Sequence, residues 1–348
     1  MINEIQSAPR EEQSNGRDLR SVAVIGSGLA GLTAAILLQQ RGCRVTVFEK
    51  SRGPGGRLAA KRVEGGSADI GAQYFTIRNP EFHQFLKHYA GKQHFAPWKA
   101  RFGYQRSPGQ WEAFPDEKRY VGVPRMTAVS RALSDHVSLV AETRVQKLSR
   151  DPSGWQLVST EGHEFGPYHA VIVTAPPAQA RELLAGSNLP HLAGHLDQPV
   201  NHVQPCWAVA AHFAETPFDR YDGMRVHSEI LSWVGNNSSK PDRNDRGQWW
   251  VLHARSEWSR ANTDTPAEQV AGEMVREFLA IAGAAVQPDD LVTHRWLYAK
   301  STDTDTPGHL WFPDEQIGLA GDWLSGGRVE GAFNSASALV NELSATDA

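Results

Sequence analysis

Residues 21–49 read SVAVIGSGLAGLTAAILLQQRGCRVTVFE, and the pattern of this stretch changes twice. The short apolar run 22–25 indicates a strand that is buried on both faces of a parallel sheet. Residues 29–40 are rich in Ala and Leu at helical spacing, and Gly42 is suited to end the helix. The alternating, β-branched run 44–49 predicts a second strand. The sequence therefore predicts a strand, helix, strand unit.

Three glycines in the pattern Gly-x-Gly-x-x-Gly form the turn between the first strand and the helix. The first permits a tight turn, the second lets the backbone approach a pyrophosphate, and the third lets the helix pack close to the strand. The helix N-terminus adds amide donors and a partial positive charge. An acid ends the second strand about 20 positions later, where it suits a ribose hydroxyl pair and disfavours a 2′-phosphate. The residues predicted to hold a dinucleotide here are Gly26, Ser27, Gly28, Leu29, Ala30, Gly31 and Glu49.

A second glycine-rich loop follows at residues 51–57, which read SRGPGGR. The guanidinium of Arg57 can pair with a pyrophosphate oxygen. The pattern Glu-Lys-x-x-x-x-Gly-Gly-Arg resembles that of glutathione-reductase-like and amine-oxidase-like flavoproteins, in which it marks FAD. The resemblance implies that FAD also contacts Lys50, Gly56, Arg57 and Leu58.

The end of the chain supplies a further strand-to-helix element. Residues 317–323 (IGLAGDW) form a short apolar run ending in Gly-Asp, and residues 326–332 (GGRVEGA) open a helix that extends to Leu343. This segment resembles the C-terminal motif of FAD folds, in which the Asp bonds the ribityl chain or pyrophosphate and the helix points its N-terminus at the flavin pyrimidine. The resemblance assigns to FAD the residues Gly321, Asp322, Glu330, Gly331 and Ala332.

A site built from both ends of the chain requires an interleaved domain arrangement. Residues 137–148 read as strand, turn, strand, with Val145 matching the position whose backbone usually contacts the adenine, and residues 169–177 read as a buried strand closed by two prolines. We predict an α/β fold, α+β overall, in which a Rossmann-like FAD-binding domain is interleaved with a substrate domain of mixed β-sheet and helices. The implied architecture is of the amine-oxidase or p-hydroxybenzoate-hydroxylase type. The expected divisions are a disordered extension at 1–20, the FAD-binding domain at 21–78, 119–177 and 301–348, and the substrate domain at 79–118 and 178–300.

Composition excludes several classes of protein and partner. With 40% hydrophobic and 21% charged residues the chain is typical of a globular protein, and its net charge of −4 disfavours nucleic-acid binding. We find neither an apolar run of about 20 residues nor a secretory signal, so we expect no membrane partner and a cytoplasmic location. The two cysteines and the spacing of the 14 histidines indicate neither a disulfide framework nor a metal site. Redox chemistry must therefore reside on an organic cofactor.

Residues 68–76 read ADIGAQYFT. Many amine-oxidase relatives carry a Gly-Ala pair here that passes beside the flavin, and the extended form resembles that of the renalase family. The resemblance assigns Gly71, Ala72, Gln73 and Tyr74 to the flavin site. Four further segments resemble bacterial renalase-like sequences, so that the likeness spans about residues 21–343; they are 122–126 (GVPRM), 232–241 (SWVGNNSSKP), 250–253 (WVLH) and 295–298 (RWLY).

Membership of this family would imply an oxidase of misreduced nicotinamide dinucleotides. Hydride passes from the 2-dihydro or 6-dihydro isomer of NAD(P) to FAD and then, as electrons, to dioxygen, which gives NAD(P)⁺ and hydrogen peroxide. The partners would thus be a small dinucleotide and dioxygen, with the oligomeric state left open. Because alignment can carry hydride transfer, no catalytic acid or base is named. The candidates for the substrate pocket are Gln73, Tyr74, Trp233, Trp250, His253, Trp296 and Tyr298. For any single tryptophan a core role is favoured, and His253 is equally suited to one.

Two other functions remain open, namely an amine oxidase or desaturase, and a nonenzymatic FAD-binding protein. Many amine oxidases place a lysine of the substrate domain near the reactive flavin nitrogen. No lysine occurs between Lys147 and Lys240, which disfavours amine oxidation, although Lys300 is a candidate substitute. Covalent attachment of flavin in some relatives needs a cysteine near the C-terminal motif, where neither Cys43 nor Cys206 lies. We therefore expect noncovalent FAD.

Overall fold

Strands and helices occur along residues 20–244, 246–303 and 305–345, the part of the chain that the computed structural model describes. The expected extension lies outside it, apart from Arg20. The strands are β1 Ser21–Ile25, β2 Arg44–Phe48, β3 Lys61–Val63, β4 Gly66–Ala68, β5 Phe75–Thr76, β6 Phe95–Pro97, β7 Phe102–Ser107, β8 Gln110–Ala113, β9 Arg119–Gly122, β10 Ser138–Val140, β11 Val145–Asp151, β12 Gly154–Ser159, β13 Glu164–Tyr168, β14 Ala170–Val173, β15 Val203–Phe213, β16 Gly223–Arg225, β17 Leu231–Asn236, β18 Gln248–Ala254, β19 Asp290–Ser301, β20 Leu310–Phe312 and β21 Ile317–Leu319. The helices are α1 Leu29–Gln40, α2 Pro80–Phe85, α3 Thr127–Ser134, α4 Pro177–Gly186, α5 Pro190–Gly194, α6 Asp197–His202, α7 Ser256–Ala261, α8 Ala267–Ala282 and α9 Val329–Ala345. Among the described residues, no helix has the length and apolar character needed to cross a bilayer.

A six-stranded sheet holds the first strand of the chain near its centre. Its order is β10-β2-β1-β14-β21-β20, and all pairs are parallel except the edge pair of β20 with β21. Val22, Ala23 and Val24 are completely buried, which explains the continuous apolar run of β1. The predicted Rossmann-like fold is confirmed. On one side β1 pairs with β2, which follows it in the chain, and on the other side it pairs with β14, which comes much later. The carboxyl end of β1 therefore lies where the strand order reverses, and open α/β sheets bind ligands at such a switch point.

Helices and a small sheet cover both faces of this parallel sheet. On one face α1 packs against the C-terminal helix α9, and both contribute to one apolar core with Val22 and Val24. On the other face the three-stranded sheet β11-β12-β13 and helices α4 and α5 share a second core with Ala23 and Val171. The Ala-rich composition of α1 follows from this burial, because small side chains let the helix approach both neighbours.

Two segments differ from the expected domain boundaries. Residues 178–196, expected in the substrate domain, form α4 and α5 and bury Leu184 against the parallel sheet. Residues 80–98 pack on the same domain, where the ring of Phe82 lies 5.1 Å from that of Phe333 in α9. Their apolar faces meet elements that are distant in sequence, so local patterns could not place these segments.

A seven-stranded sheet forms the other half of the structure, in the order β19-β15-β18-β17-β16-β7-β8. Its neighbours are antiparallel except β16 with β7. Helix α8 covers one face, and the opposite face packs on Val63, Ala68 and Ile70 from the half that holds the parallel sheet. A row of directly paired residues crosses the second face and consists of His294, Ala208, His253, Trp233 and Arg225. This row forms the floor of the site described next.

Candidate functional site

A cavity of about 2040 Å³ is lined by loops at the carboxyl end of the parallel sheet and by one face of the seven-stranded sheet. Its volume exceeds the range of roughly 300–1,000 Å³ that is usual for a single ligand pocket. The cavity can therefore hold two ligands of substantial size, one along the glycine-rich loops and one over the seven-stranded sheet.

The Glu49 carboxylate is fixed at the nucleotide end of the cavity. One oxygen accepts hydrogen bonds from the backbone N–H of Ser27 at 3.0 Å and from its hydroxyl at 2.7 Å. The other accepts from the N–H of Ser51 at 2.8 Å. Gly26, which precedes Ser27, has φ +107°, a backbone conformation that favours glycine. The turn thus presents an oriented carboxylate beside the start of α1.

The second glycine-rich loop lies beside the C-terminal motif. Gly55 and Gly56 both have positive φ, and the guanidinium of Arg57 forms an ion pair with the carboxylate of Asp322. All four residues line the cavity. The structure thus joins the two predicted halves of the site, which are distant in sequence.

The segment 69–74 passes along the cavity and contacts the second loop through its backbone. The N–H of Ala72 donates to the carbonyl of Arg57 at 2.9 Å, and a Cβ on Gly71 would lie 2.1 Å from that same carbonyl oxygen. Only glycine permits this approach. On its other side the carbonyl of Ile70 accepts hydrogen bonds from His253 Nε2 at 3.0 Å and from Trp296 Nε1 at 3.1 Å. His253 and Trp296 therefore hold the segment in place while they line the cavity.

Burial lowers the pKa of His253 to about 4; its hydrogen bond to Ile70 opposes this shift, and the nearby charge of Lys240 adds to it. The imidazole is therefore neutral at pH 7, and its Nε2 is the protonated nitrogen because it donates to a carbonyl. The N–H of this neutral ring is used by the Ile70 carbonyl, so His253 orients the backbone of the segment.

The C-terminal helix begins at the cavity. A Cβ on Gly331 would lie 2.1 Å from the carbonyl oxygen of Ser325, so this turn also requires glycine, and Ala332 lines the wall. One Glu330 oxygen accepts from the backbone N–H groups of Arg78 and Asn79 at 2.7 and 2.6 Å. Glu330 thus positions the chain before α2, while the first turn of α9 gives the cavity a partial positive charge.

Most residues predicted to contact the cofactor line the cavity. These are Gly26, Gly28, Leu29, Ala30, Glu49, Lys50, Gly56, Arg57, Leu58, Gly71, Ala72, Gln73, Tyr74, Val145, Gly321, Asp322 and Ala332. The remaining four support the wall from behind; they are Ser27, Gly31, Glu330 and Gly331. A Cβ added to Gly28 would meet no atom within 4 Å, so the loop leaves room for a ligand to approach the backbone. This space, the fixed carboxylate and the two glycine-rich turns fit FAD.

Six of the seven predicted substrate residues also line the cavity, namely Gln73, Tyr74, Trp233, His253, Trp296 and Tyr298. The exception is Trp250, whose side chain lies on the opposite face of the sheet. It is fully buried there, and its ring lies 5.2 Å from that of Phe278 in α8. Trp250 and His253 are three positions apart in one strand, and side chains alternate between faces, so the two point to opposite faces. Trp250 is therefore a core residue.

A buried charge cluster that begins at Asp69, the first residue of segment 69–74, was not predicted. Asp69, Lys240 and Arg243 have side-chain exposures of 0%, 0% and 2%. One Asp69 oxygen lies 3.1 Å from Lys240 Nζ and 2.7 Å from Arg243, and the other accepts from the N–H of Met126 at 2.8 Å. Asp69 and Lys240 both belong to quoted motifs, but nothing in either motif indicates that they pair. Lys240 also ends the lysine-free interval used against amine oxidation, so that argument holds only for the strands before it.

The charge of the cavity wall is a second feature that sequence reasoning missed. Among its described residues, thirteen are Lys or Arg and four are Asp or Glu. The half with the seven-stranded sheet contributes one acid, Glu257, and five of the basic groups, which are Arg225, Arg255, Arg260, Arg295 and Lys300. This wall favours an anionic ligand.

The chain matches two known protein families. Residues 24–89 match the NAD(P)-binding Rossmann-like domain, and residues 113–343 match the flavin containing amine oxidoreductases. The hydroxyneurosporene desaturase of Rubrivivax gelatinosus is 46% identical over 57 residues, which are 16% of this chain and 11% of the relative. The L-amino-acid oxidase of Daboia russelii is 37% identical over 75 residues, which are 21% of this chain and 13% of the relative. The matches thus cover less than a fifth of either relative.

Solved structures extend the likeness to nearly the whole chain. Wild-type putrescine oxidase bound to putrescine superposes with a TM-score of 0.70 at 14% identity, covering 94% of this chain and 99% of that one. An oxidoreductase from Methanosarcina mazei gives a TM-score of 0.70 at 15% identity, covering 92% and 100%. At such low identity these similarities show a common fold.

Proposed function

This chain belongs to the flavin-containing amine oxidoreductase family, and we propose that within it the protein is a renalase-like oxidase of dihydronicotinamide dinucleotides. The substrates are the 2-dihydro and 6-dihydro isomers of NAD(P). A C–H bond of the dihydropyridine ring breaks and its electron pair leaves with the hydrogen, which yields aromatic NAD(P)⁺. FAD, bound noncovalently, would supply the hydride acceptor; the two electrons and the proton of the hydride, with one further proton from solvent, would then convert dioxygen to hydrogen peroxide.

The observation that carries this proposal is the basic, aromatic substrate side of the cavity. An alkylammonium substrate would meet five basic groups and one carboxylate there, whereas the pyrophosphate of a dinucleotide would be attracted. A long hydrocarbon, as a carotenoid desaturase would need, gains nothing from these charges. The charge of the wall thus favours a dinucleotide over both alternatives within the family.

Aromatic side chains at the floor suit a flat ring. Trp233 and Tyr74 have ring centroids 5.4 Å apart, and both line the cavity with Tyr298. The indole Nε1 of Trp233 is buried beside Gly235, where it would lie 3.0 Å from an added Cβ, so Trp233 offers the cavity its ring surface. A flat pyridine ring would pack against these aromatic side chains.

The chain contributes alignment to the reaction. The FAD-binding residues are those of the glycine-rich turns together with Glu49, Arg57 and Asp322. His253 is neutral and Trp296 is tied to Ile70, so both fix the backbone beside the flavin position. Burial raises the pKa of Cys206 to about 12, so this cavity thiol stays protonated and is a poor nucleophile for covalent attachment to FAD.

The test is anaerobic reduction of the bound flavin, measured as the loss of its yellow colour. We expect 2-dihydro and 6-dihydro NAD to bleach the flavin on the order of 100-fold faster than 4-dihydro NADH, because only the correct isomer places its hydridic carbon at near-attack distance. Readmitted oxygen should restore the colour and yield peroxide. Rapid bleaching by putrescine or another amine, with indifference to both isomers, would overturn the dinucleotide proposal and support amine oxidation.

A second prediction concerns cofactor affinity. Glu49→Ala should weaken FAD binding by about 1–3 kcal/mol, because the carboxylate that is held ready for the ribose is lost. Flavin content after purification and titration of the apoprotein with FAD measure the effect. The control is Glu182→Ala, since Glu182 lines the same cavity with 74% of its side chain exposed and should leave the affinity unchanged. Equal affinities in both variants would contradict the assignment of Glu49.

A further inference from the structure

The buried cluster of Asp69, Lys240 and Arg243 directly contacts the segment that borders the flavin position. Lys240 Nζ lies 3.3 Å from Gln73 Oε1, and Gln73 lines the cavity. The other end of the Gln73 amide donates to the carbonyls of Asp69 and Gly71. The lysine therefore holds Gln73, and Gln73 in turn holds the backbone of the Gly-Ala motif.

The same cluster is tied to the substrate half by a second set of bonds. Asn237 accepts from the N–H of Asp69 at 3.2 Å and donates to the carbonyl of Ser67 at 3.0 Å. Lys240 directly follows the 3-10 turn Asn237–Ser239, and its Nζ lies 5.3 Å from the Trp98 ring centroid. Its ammonium is thus confined by packing as well as by charge.

The charges in this cluster do not cancel. Among the residues that the structure describes, these two cations share one carboxylate, and a single positive charge is left over in a region with almost no access to water. Electrostatic interactions reach further where water is excluded. The charge of Lys240 contributes to the lowered pKa of His253, which itself lines the cavity. An electrostatic effect of Lys240 on this wall is therefore expected.

We propose that Lys240 is a positioning residue for flavin reduction: its ammonium fixes the Gln73 amide and supplies the uncompensated positive charge that makes the bound flavin easier to reduce. The inference rests on the flavin part of the proposed function and is independent of the substrate. Reduction adds negative charge to the flavin, and a nearby buried cation stabilises that charge. Lys240 does this from behind the cavity wall, through Gln73 and segment 69–74.

The charge should also depend on pH. Burial lowers the pKa of Lys240 to about 8, against the opposing effect of Asp69 and with the assistance of Arg243. The charged or titratable groups that face it are Asp69, Arg243 and His253, with Arg125 beyond them. Asp69 has a lowered pKa and His253 is neutral above its pKa of about 4, so both keep their charge state between pH 6.5 and 9.5. Lys240 is the member expected to change charge in that interval.

The experiment measures the midpoint potential of the bound flavin by photochemical reduction against redox dyes, without any substrate, from pH 6.5 to 9.5. At pH 7, Lys240→Met should lower the ratio of reduced to oxidised flavin at a fixed potential by about tenfold, which is about 30 mV for a two-electron couple. Lys240→Arg retains a charge and should keep the potential. Above pH 8 the midpoint potential of wild type should approach that of Lys240→Met, while the potential of Lys240→Arg should stay above it.

Each variant is compared as FAD-loaded protein, with flavin content and thermal unfolding measured alongside. If Lys240→Met fails to fold, the pH profiles of wild type and Lys240→Arg decide. Flavin reduction takes up protons, so both potentials fall as the pH rises, but only that of wild type should fall more steeply near pH 8. Equal potentials in Lys240→Met and wild type at every pH, or the same profile in Lys240→Arg as in wild type, would overturn the proposal. Since no dinucleotide is used, either result leaves the test of substrate separate.

Discussion

Replacing Asp69 with alanine is expected to destabilise the folded protein by about 3–5 kcal/mol, because Lys240 and Arg243 then remain buried without the carboxylate that both contact. Unfolding in urea at one fixed excess of FAD measures the loss. The control is Asp197→Ala, which removes an ion pair with Arg181 that is about half exposed on both sides and should cost at most about 1 kcal/mol. A similar small loss in both variants would contradict the role assigned to Asp69.

The dependence of this effect on pH follows from the pKa of Asp69. Burial alone would raise that pKa, but the charges of Lys240 and Arg243 and the N–H of Met126 together lower it below the ordinary 3.8. A carboxyl with a lowered pKa stabilises the fold fully above its unfolded pKa, and the contribution fades as the pH falls through the folded value. The difference between wild type and Asp69→Ala should therefore be largest near pH 5 and shrink under stronger acid as Asp69 is protonated. It should also shrink towards neutral pH, because the pKa of Lys240 falls further when Asp69 no longer raises it and the unpaired amine then loses its charge.

The parallel sheet could be predicted because its signals are local. An uninterrupted apolar run, a glycine turn and a helix with small residues lie within residues 21–49, and their burial in the structure matches that pattern. The apolar runs of β14 and β21 could be identified for the same reason. Their order in the sheet follows from long-range pairing and is not contained in any one of them.

The cofactor side of the site was predictable for a related reason. Backbone contacts to a dinucleotide require glycine at fixed spacing, so Gly26, Gly28 and Gly31 mark the turn without knowledge of the rest of the chain. The substrate side has no such code. Its basic groups come from β16, the end of β18, α7 and β19, and only the folded sheet brings them to one wall.

Trp250 and the buried charge cluster differ in whether the sequence alone could have revealed them. Trp250 and His253 cannot face the same side of one strand, and the twofold alternation would have revealed this from sequence. The pairing of Asp69 with Lys240 could not have been found, because 171 positions separate them and neither segment shows which partner it meets. A buried lysine appears in a sequence like any exposed one.

The last prediction separates two kinds of glycine at the start of α1, namely Gly28 just before the helix and Gly31 in its first turn. A Cβ on Gly31 would lie 1.9 Å from the Gly26 carbonyl oxygen and 2.9 Å from Thr174 Oγ1, whereas a Cβ on Gly28 would meet nothing within 4 Å. Gly26 is itself held by a hydrogen bond to Phe48 at 2.8 Å, so it cannot withdraw. Gly31→Ala should therefore push α1 away from the sheet and destabilise the protein by about 3 kcal/mol or more.

Gly28→Ala is the matched control, with the opposite pair of outcomes. Gly28 has φ −71°, which any residue adopts, so the free energy of unfolding of FAD-depleted protein should change by no more than about 0.5 kcal/mol. The added methyl nevertheless occupies space through which a pyrophosphate approaches the backbone, and FAD affinity should fall at least about tenfold, or about 1.4 kcal/mol. Urea unfolding without FAD and fluorescence titration with FAD measure the two effects separately. Normal FAD affinity in Gly28→Ala would show that the pyrophosphate lies elsewhere, while normal stability in Gly31→Ala would show that α1 can shift on the sheet at little cost.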